Sequence, residues 1–195
     1  MKPQIKKRQI IMFYGGPGSG KGTQAKLLAK KLKAPFFSVG EELRKIASKN
    51  TALARQVNKL IDKGSFVPNY ISGAIVATQL KKGGNLIFDG YPRNIGQAYD
   101  LNRLLGKMAP NASSYFVFLD VPVGELKKRL KARIVKEGRD DDRDLEAMNQ
   151  RFKIFNEKRG RLLDYFAGKG WLQTVDGIGS IEQVHKRVLQ AVTRH

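Results

Sequence analysis

Short apolar runs alternate with amphipathic stretches along this chain. Residues 10–14 are a run of large apolar side chains that ends at Gly15, a pattern that predicts a buried strand. Residues 21–32 follow with Ala25, Leu28, Ala29 and Leu32 on one face at helical spacing. The same reading predicts strands over 35–38, 85–89, 115–119 and 171–175. It predicts helices over 41–48, 51–63, 68–80, 94–105, 124–134, 145–166 and 181–192. Gly64 closes the 51–63 helix and Pro68 opens the next. The long helix over 145–166 carries Leu145, Met148, Phe152 and Phe155 as its apolar stripe. Strands that alternate with helices predict an α/β fold, a five-stranded parallel sheet covered on both faces. Ligands of such sheets bind beyond the carboxyl ends of the strands, so the residues just after each strand are the informative ones.

Composition narrows the chemistry. A length of 195 residues suits a single domain over 1–195. With no cysteine there is no disulfide framework, no thiolate zinc site and no cysteine nucleophile, and two histidines, His185 and His195, are too few for a histidine metal site. No apolar run approaches the roughly 18 residues of a membrane span. The basic start of the chain runs through a short apolar stretch into a glycine loop, which reads as a first strand rather than a signal peptide. The expectation is a cytoplasmic protein with no membrane partner. Lys and Arg number 37 against 17 Asp and Glu, a net charge of +20. Residues 1–35 hold nine cations and no acid, and a second basic stretch runs over 127–139. Such a surplus favours anionic partners: nucleotides, nucleic acid or an acidic membrane.

Three segments that follow strands carry candidate chemistry. Gly15-Gly16-Pro17-Gly18-Ser19-Gly20-Lys21-Gly22-Thr23 joins the first strand to the first helix. Glycines let a backbone wrap phosphates, and the N–H groups at a helix start point at the anion. Lys21 is placed for β- and γ-phosphates and Thr23 for the Mg²⁺ shell, although the usual hydroxyl directly after the lysine is here displaced by Gly22. Arg44 lies one turn into the helix after the second strand, behind Ser38 and Val39. Asp89 ends the third strand, placed to hold Mg²⁺ through water. Gly90-Tyr91-Pro92 then form a turn that presents Arg93, with Gln97 one helical turn beyond. Two arginines past neighbouring strand ends suggest a second phosphate held by guanidinium forks. Arg129 and Arg133 share a helix face opposite Leu126, Leu130 and Ile134; Lys136, Gly138 and Arg139 follow on a short segment, and Arg151 lies on the long helix. Arginines on a short flap suit a lid that closes over transferring phosphates and excludes water.

These residues resemble the adenylate kinase family of nucleoside monophosphate kinases, over nearly the whole chain. The loop over 15–23 has that family's form, with the hydroxyl displaced to Thr23, and Phe88-Asp89-Gly90-Tyr91-Pro92-Arg93 with Gln97 resembles its second signature. Gly138-Arg139, Asp141, Asp142 and Arg151 resemble its lid, here short and without cysteine, so no zinc is expected. The resemblance implies a P-loop NTPase fold with a monophosphate-binding segment at about 38–67 and a short lid at about 134–144. It implies an enzyme that reversibly converts MgATP and AMP into two ADP for adenine nucleotide homeostasis, as a monomer. ATP would be bound by Gly16, Pro17, Gly18, Ser19, Gly20, Lys21, Gly22, Thr23, Arg129 and Arg133. AMP would be bound by Ser38, Val39, Arg44, Val67, Gly90, Arg93, Gln97, Arg139 and Arg151, with Gln97 reading the base. Lys21, Arg93, Arg129, Arg139 and Arg151 would be catalytic, and Thr23 and Asp89 would hold Mg²⁺. Val39 stands where the adenine enzymes usually carry threonine and the pyrimidine enzymes alanine, and Asn94 is also seen in the pyrimidine enzymes. A UMP/CMP or broad-specificity kinase is therefore the alternative acceptor reading. From a different class, the basic surface suggests a nucleic-acid-binding protein that uses the loop as a nucleotide switch. Nucleic-acid association is also kept as a secondary property of the enzyme.

Overall fold

The computed structural model describes residues 7–63, 65, 67–137 and 145–193, and of 133–137 and 145 the backbone alone. Its elements run β1 (Gln9–Tyr14), α1 (Lys21–Leu32), β2 (Phe36–Ser38), α2 (Val39–Ala47), α3 (Ala52–Asp62), α4 (Asn69–Lys81), β3 (Leu86–Asp89), α5 (Ile95–Met108), β4 (Ser113–Asp120), α6 (Val123–Glu137), α7 (Leu145–Gly168), β5 (Leu172–Asp176) and α8 (Ile181–Thr193). The five strands pair in the order β2-β3-β1-β4-β5, all parallel. The predicted α/β architecture is therefore present. Its boundaries differ where capping decides them. α2 begins at Val39 because the Ser38 hydroxyl accepts a hydrogen bond from Glu41 N at 3.3 Å and so caps the helix earlier than the apolar spacing suggested. α6 continues to Glu137, into the span read as a flap. Gly64 lies outside the described residues.

Alternation along β1 sorts the core into two layers. Ile10, Met12 and Tyr14 face one side with Ala98, Leu101 and Leu105 of α5 and Leu162 and Phe166 of α7. Phe116 and Phe166 stack there with centroids 4.0 Å apart. Ile11 and Phe13 face the other side with Leu28 of α1 and Val184 and Val188 of α8. β1 and β3 are neighbours, yet the helix after β1 covers one face and the helix after β3 the other. Their connections diverge at the carboxyl ends and open a crevice there, which is where a doubly wound sheet binds ligand. α2, α3 and the start of α4 are inserted between β2 and β3 and pack around their own small core of Ala47, Val57, Val67 and Ile71.

Candidate active site

The crevice is a cavity of about 570 Å³, walled by the loop after β1, the starts of α2 and α4, the turn after β3, and parts of α6 and α7. Gly20 is the N-cap of α1 at φ 86°, and a Cβ built on it meets nothing within 4 Å. Backbone conformation, not crowding, therefore demands glycine there. This turn leaves the first N–H groups of α1 directed into the cleft, where an anion is favoured. Lys21 curls back with Nζ 3.4 Å from the Gly16 carbonyl. Ser19 is buried, and its hydroxyl has no hydrogen-bond partner among the described residues. A buried hydroxyl without a partner costs about 1–3 kcal/mol, so a ligand oxygen would relieve it.

Asp89 faces this loop from the end of β3. Its register partners are Phe13 and Ser38, which fixes the carboxylate between the first and second strand ends. Oδ1 of Asp89 is likewise buried without a partner among the described residues, and Oδ2 lies 3.0 Å from the place a Cβ would take on Gly22. That approach explains the displaced hydroxyl: a side chain at 22 would press on the carboxylate, whereas Thr23 is exposed at the cleft wall. Oxygen donors of this hardness suit Mg²⁺, which uses one or two protein groups and takes its other ligands from phosphate and water.

Guanidinium groups converge across the cleft. Gly90 at φ 73° leaves room for Arg93, whose Nη2 would be 2.5 Å from a Cβ there, and Arg93 Nε donates to the Gly90 carbonyl at 2.6 Å. Gly40 plays the matching part on α2: its absent Cβ would lie 3.5 Å from Arg93 Nη2 and 3.6 Å from Arg44 Nη1. The surface that Arg93 leaves open faces the cleft rather than bulk solvent. Withdrawal from bulk water pulls its guanidinium below the ordinary pKa; Asp89 opposes that pull, and Arg151 and Arg44 add to it. Arginine does not deprotonate in proteins, so the pull amounts to an unmet demand for negative charge. Burial pushes the Tyr14 phenol above its usual range, with Arg93 and Arg159 acting against it.

Gln97 is less free than its expected role suggests. Its Oε1 accepts from Arg93 N at 2.7 Å, and its Nε2 donates to the Ser72 hydroxyl at 3.2 Å, which in turn donates to Asn69 O at 3.1 Å. The amide orientation is thus set by a backbone donor. One N–H and one lone pair of the carboxamide remain, on a side chain that lines the cleft. Asn94 is the N-cap of α5, its Oδ1 accepting from Gln97 N at 2.9 Å, and its Nδ2 ties α5 to Asn69. These bonds account for asparagine at 94 without any contact to a base. Val39 and Val67 are buried in the cleft wall beside Leu43 and Ile61, an apolar shelf of the kind a base stacks against.

Gly16 packs under Leu126, Pro17 and Gly18 line the cleft, and Arg151 enters it from α7. Arg129 is held at its edge, with Nε donating to Glu125 at 2.8 Å and Nη1 to the Gly177 carbonyl at 3.1 Å. That fork is engaged with the β5–α8 loop rather than turned toward Lys21. The side chains of Arg133 and Lys136, together with Gly138, Arg139 and the aspartates at 140–142, lie outside what the structure describes. Sequence reasoning missed Tyr14, Ser72, Ile154 and Phe155, all of which line the cleft. Ser72 carried a signal: it occupies the buried 72-76-80 stripe of α4, where an apolar residue is expected.

A family model described as adenylate kinase matches residues 13–171. The adenylate kinase of Leptospira biflexa serovar Patoc is 35% identical over 185 residues, covering 93% of this chain and 98% of its own length. That of Thermus thermophilus is 35% identical over 94% of this chain and 97% of its own. That of Mycolicibacterium vanbaalenii is 37% identical over 94% and 99%. Likeness of this extent, running through both the phosphate loop and the paired arginines, places the chain in the adenylate kinase family.

Proposed function

We propose that this protein reversibly transfers a phosphoryl group from MgATP to AMP, giving two ADP. The observation that carries the reading is the meeting of Arg44 and Arg93 over Gly40, across one cleft from the Gly15–Thr23 loop. The loop takes the triphosphate and the arginine pair takes the monophosphate, so the acceptor oxygen faces the terminal phosphorus. In this reading the segment at about 38–67 would be the monophosphate side, and the segment at about 134–144, with Arg133 and Arg139, would be the lid. Thr23 and, through water, Asp89 would hold Mg²⁺, which when bound with ATP neutralises the β- and γ-oxygens.

The monophosphate has a second pKa near 6 and is largely dianionic at neutral pH. Its oxygen attacks the terminal phosphorus. The new P–O bond forms as the bond to the β–γ bridging oxygen breaks, and that electron pair leaves on the other ADP. No proton has to move, so no general base is required. Lys21, Arg93 and Arg151 steady the charge spread over the equatorial oxygens. The fixed amide of Gln97 offers a lone pair and an N–H to the amino and ring-nitrogen edge of adenine. A monomer acting in the cytoplasm completes the reading, to be checked by size-exclusion chromatography and cell fractionation.

The test is a chromatographic product assay with MgATP and, separately, AMP, GMP, CMP, UMP and dTMP. The expected result is ADP formed from AMP faster than any other diphosphate. Faster conversion of CMP or UMP would overturn the assignment of the base, and no transfer to any acceptor would overturn the enzyme.

A further inference from the structure

The end of the sheet opposite the cleft has a composition of its own. α1, α4, α5, α7 and α8 all run back to the amino ends of the strands. Lys30, Lys31 and Lys33 end α1, Lys81 and Lys82 end α4, Lys107 ends α5, Lys169 follows α7, and Lys7 precedes β1. The stretches 7–9, 30–35, 79–85, 104–112 and 166–171 contain no Asp or Glu. By contrast β3, β4 and β5 each finish at the other end on an aspartate. Glu41, Glu42, Glu125 and Glu182 occupy first helical turns there.

Lysine near a helix C-terminus is favoured by the helix dipole, and that accounts for part of the pattern. It does not account for all of it, because several of the terminal carbonyls already have partners. Backbone N–H groups of Lys33 and Ala34 close the end of α1. Arg8 donates to Leu80 O at 3.0 Å, to Met108 O at 3.3 Å and to Gly84 O, and so serves α4 and α5 together. Lys30, Lys31, Lys33, Lys81, Lys82 and Lys107 take part in no ion pair among the described residues.

We propose that this lysine edge is a docking surface for the phosphate backbone of a nucleic acid, single-stranded RNA in particular, bound without regard to sequence. Five strands about 4.8 Å apart make an edge of roughly 20 Å. A phosphodiester strand carries one negative charge per nucleotide, so several lysines along that edge reach phosphates together. Lysine offers a mobile point charge without the fork that reads a base edge, which gives affinity without specificity. An anionic membrane shares the charge, but firm attachment to it also calls on apolar insertion. The exposed large hydrophobics Leu53, Tyr70, Tyr99, Val123, Ile178 and Ile181 all lie away from this edge. The basic stretch at 127–139 is a weaker candidate, since Asp140, Asp141, Asp142 and Asp144 follow it directly.

The experiment is a fluorescence-anisotropy titration of the full chain with a labelled oligouridylate of about 20 nucleotides, from low to physiological salt. Binding should be salt-steep, and K81Q/K82Q/K107Q should weaken it about tenfold and lower the salt slope by about 2. K127Q/K128Q/K131Q, with the same change in charge, should weaken it less. The first variant should turn over MgATP and AMP like the parent, and Arg93→Lys should bind RNA like the parent. No binding at low salt, equal loss in both triple variants, or loss with Arg93→Lys would overturn the proposal. So would lysine-dependent binding to phosphatidylserine-containing vesicles with none to RNA. The titration does not use phosphoryl transfer, so its failure and that of the proposed activity are read separately.

Discussion

The two ends of the sheet use the same residue type for opposite purposes. At the carboxyl end Arg93 is held by one carbonyl while its fork stands among Arg44, Arg151 and Asp89, a grouping that gains from an incoming anion. At the amino end Arg8 spends its guanidinium on three backbone carbonyls and joins the ends of α4 and α5. The first arrangement keeps positive charge available; the second consumes it in holding the fold. Helix orientation is the common cause, because N-termini gather at one edge of a parallel sheet and C-termini at the other.

Substitution should separate the two ends. The largest effect is expected for Arg93→Lys, in which a point charge replaces the fork. Turnover should fall on the order of 10²–10⁵-fold with a nearly unchanged melting temperature, as steady-state kinetics beside calorimetry would show. Near-normal turnover would remove Arg93 from the site. Next comes Ser72→Val, which strips the buried Gln97 amide of its partner at a cost of about 1–3 kcal/mol. The ratio of kcat/KM for AMP over that for CMP should drop about tenfold or more. Ser72→Thr should restore it, an outcome that a general packing defect does not predict. Arg8→Ala should show the reverse signature of Arg93→Lys: about 2 kcal/mol less stability in urea, with kcat intact. The smallest effect concerns His185, whose pKa is lowered first by burial and then by Lys31. Lys31→Ala should raise it in an NMR titration, and an unmoved value would mean that the field of the lysine edge does not reach α8.

Most of this arrangement was legible in the chain. Strand positions followed from apolar runs, and the phosphate loop from four glycines and a lysine between a strand and a helix. Arg44 and Arg93 were legible because each follows a strand end. What escaped was side-chain commitment. Gln97 sits on the buried 97-101-105 stripe of α5, and nothing in its spacing shows that Arg93 N and Ser72 already hold it. Arg129 reads like its neighbours on α6; its i, i+4 pairing with Glu125 was open to helical spacing, but its second partner, the Gly177 carbonyl, joins only when β4 and β5 pair. Polar residues on apolar stripes were the usable signal: of Gln24, Ser72 and Gln97, the last two line the cleft and the first pins α8 through Ile181 O and His185.

The closeness of Gly22 to Asp89 also bears on how such a sequence can drift. A hydroxyl moved from 23 to 22 would push the carboxylate, while exchanging Asp89 alone would leave the loop opposite a hole. A change at either position is thus felt at the other, beside the Mg²⁺ role proposed for Asp89. The two positions should therefore be coupled, and a survey of single substitutions would record both as intolerant without revealing that they constrain each other. Only a library that varies the pair jointly would expose that dependence, as non-additivity between two residues 67 positions apart in sequence.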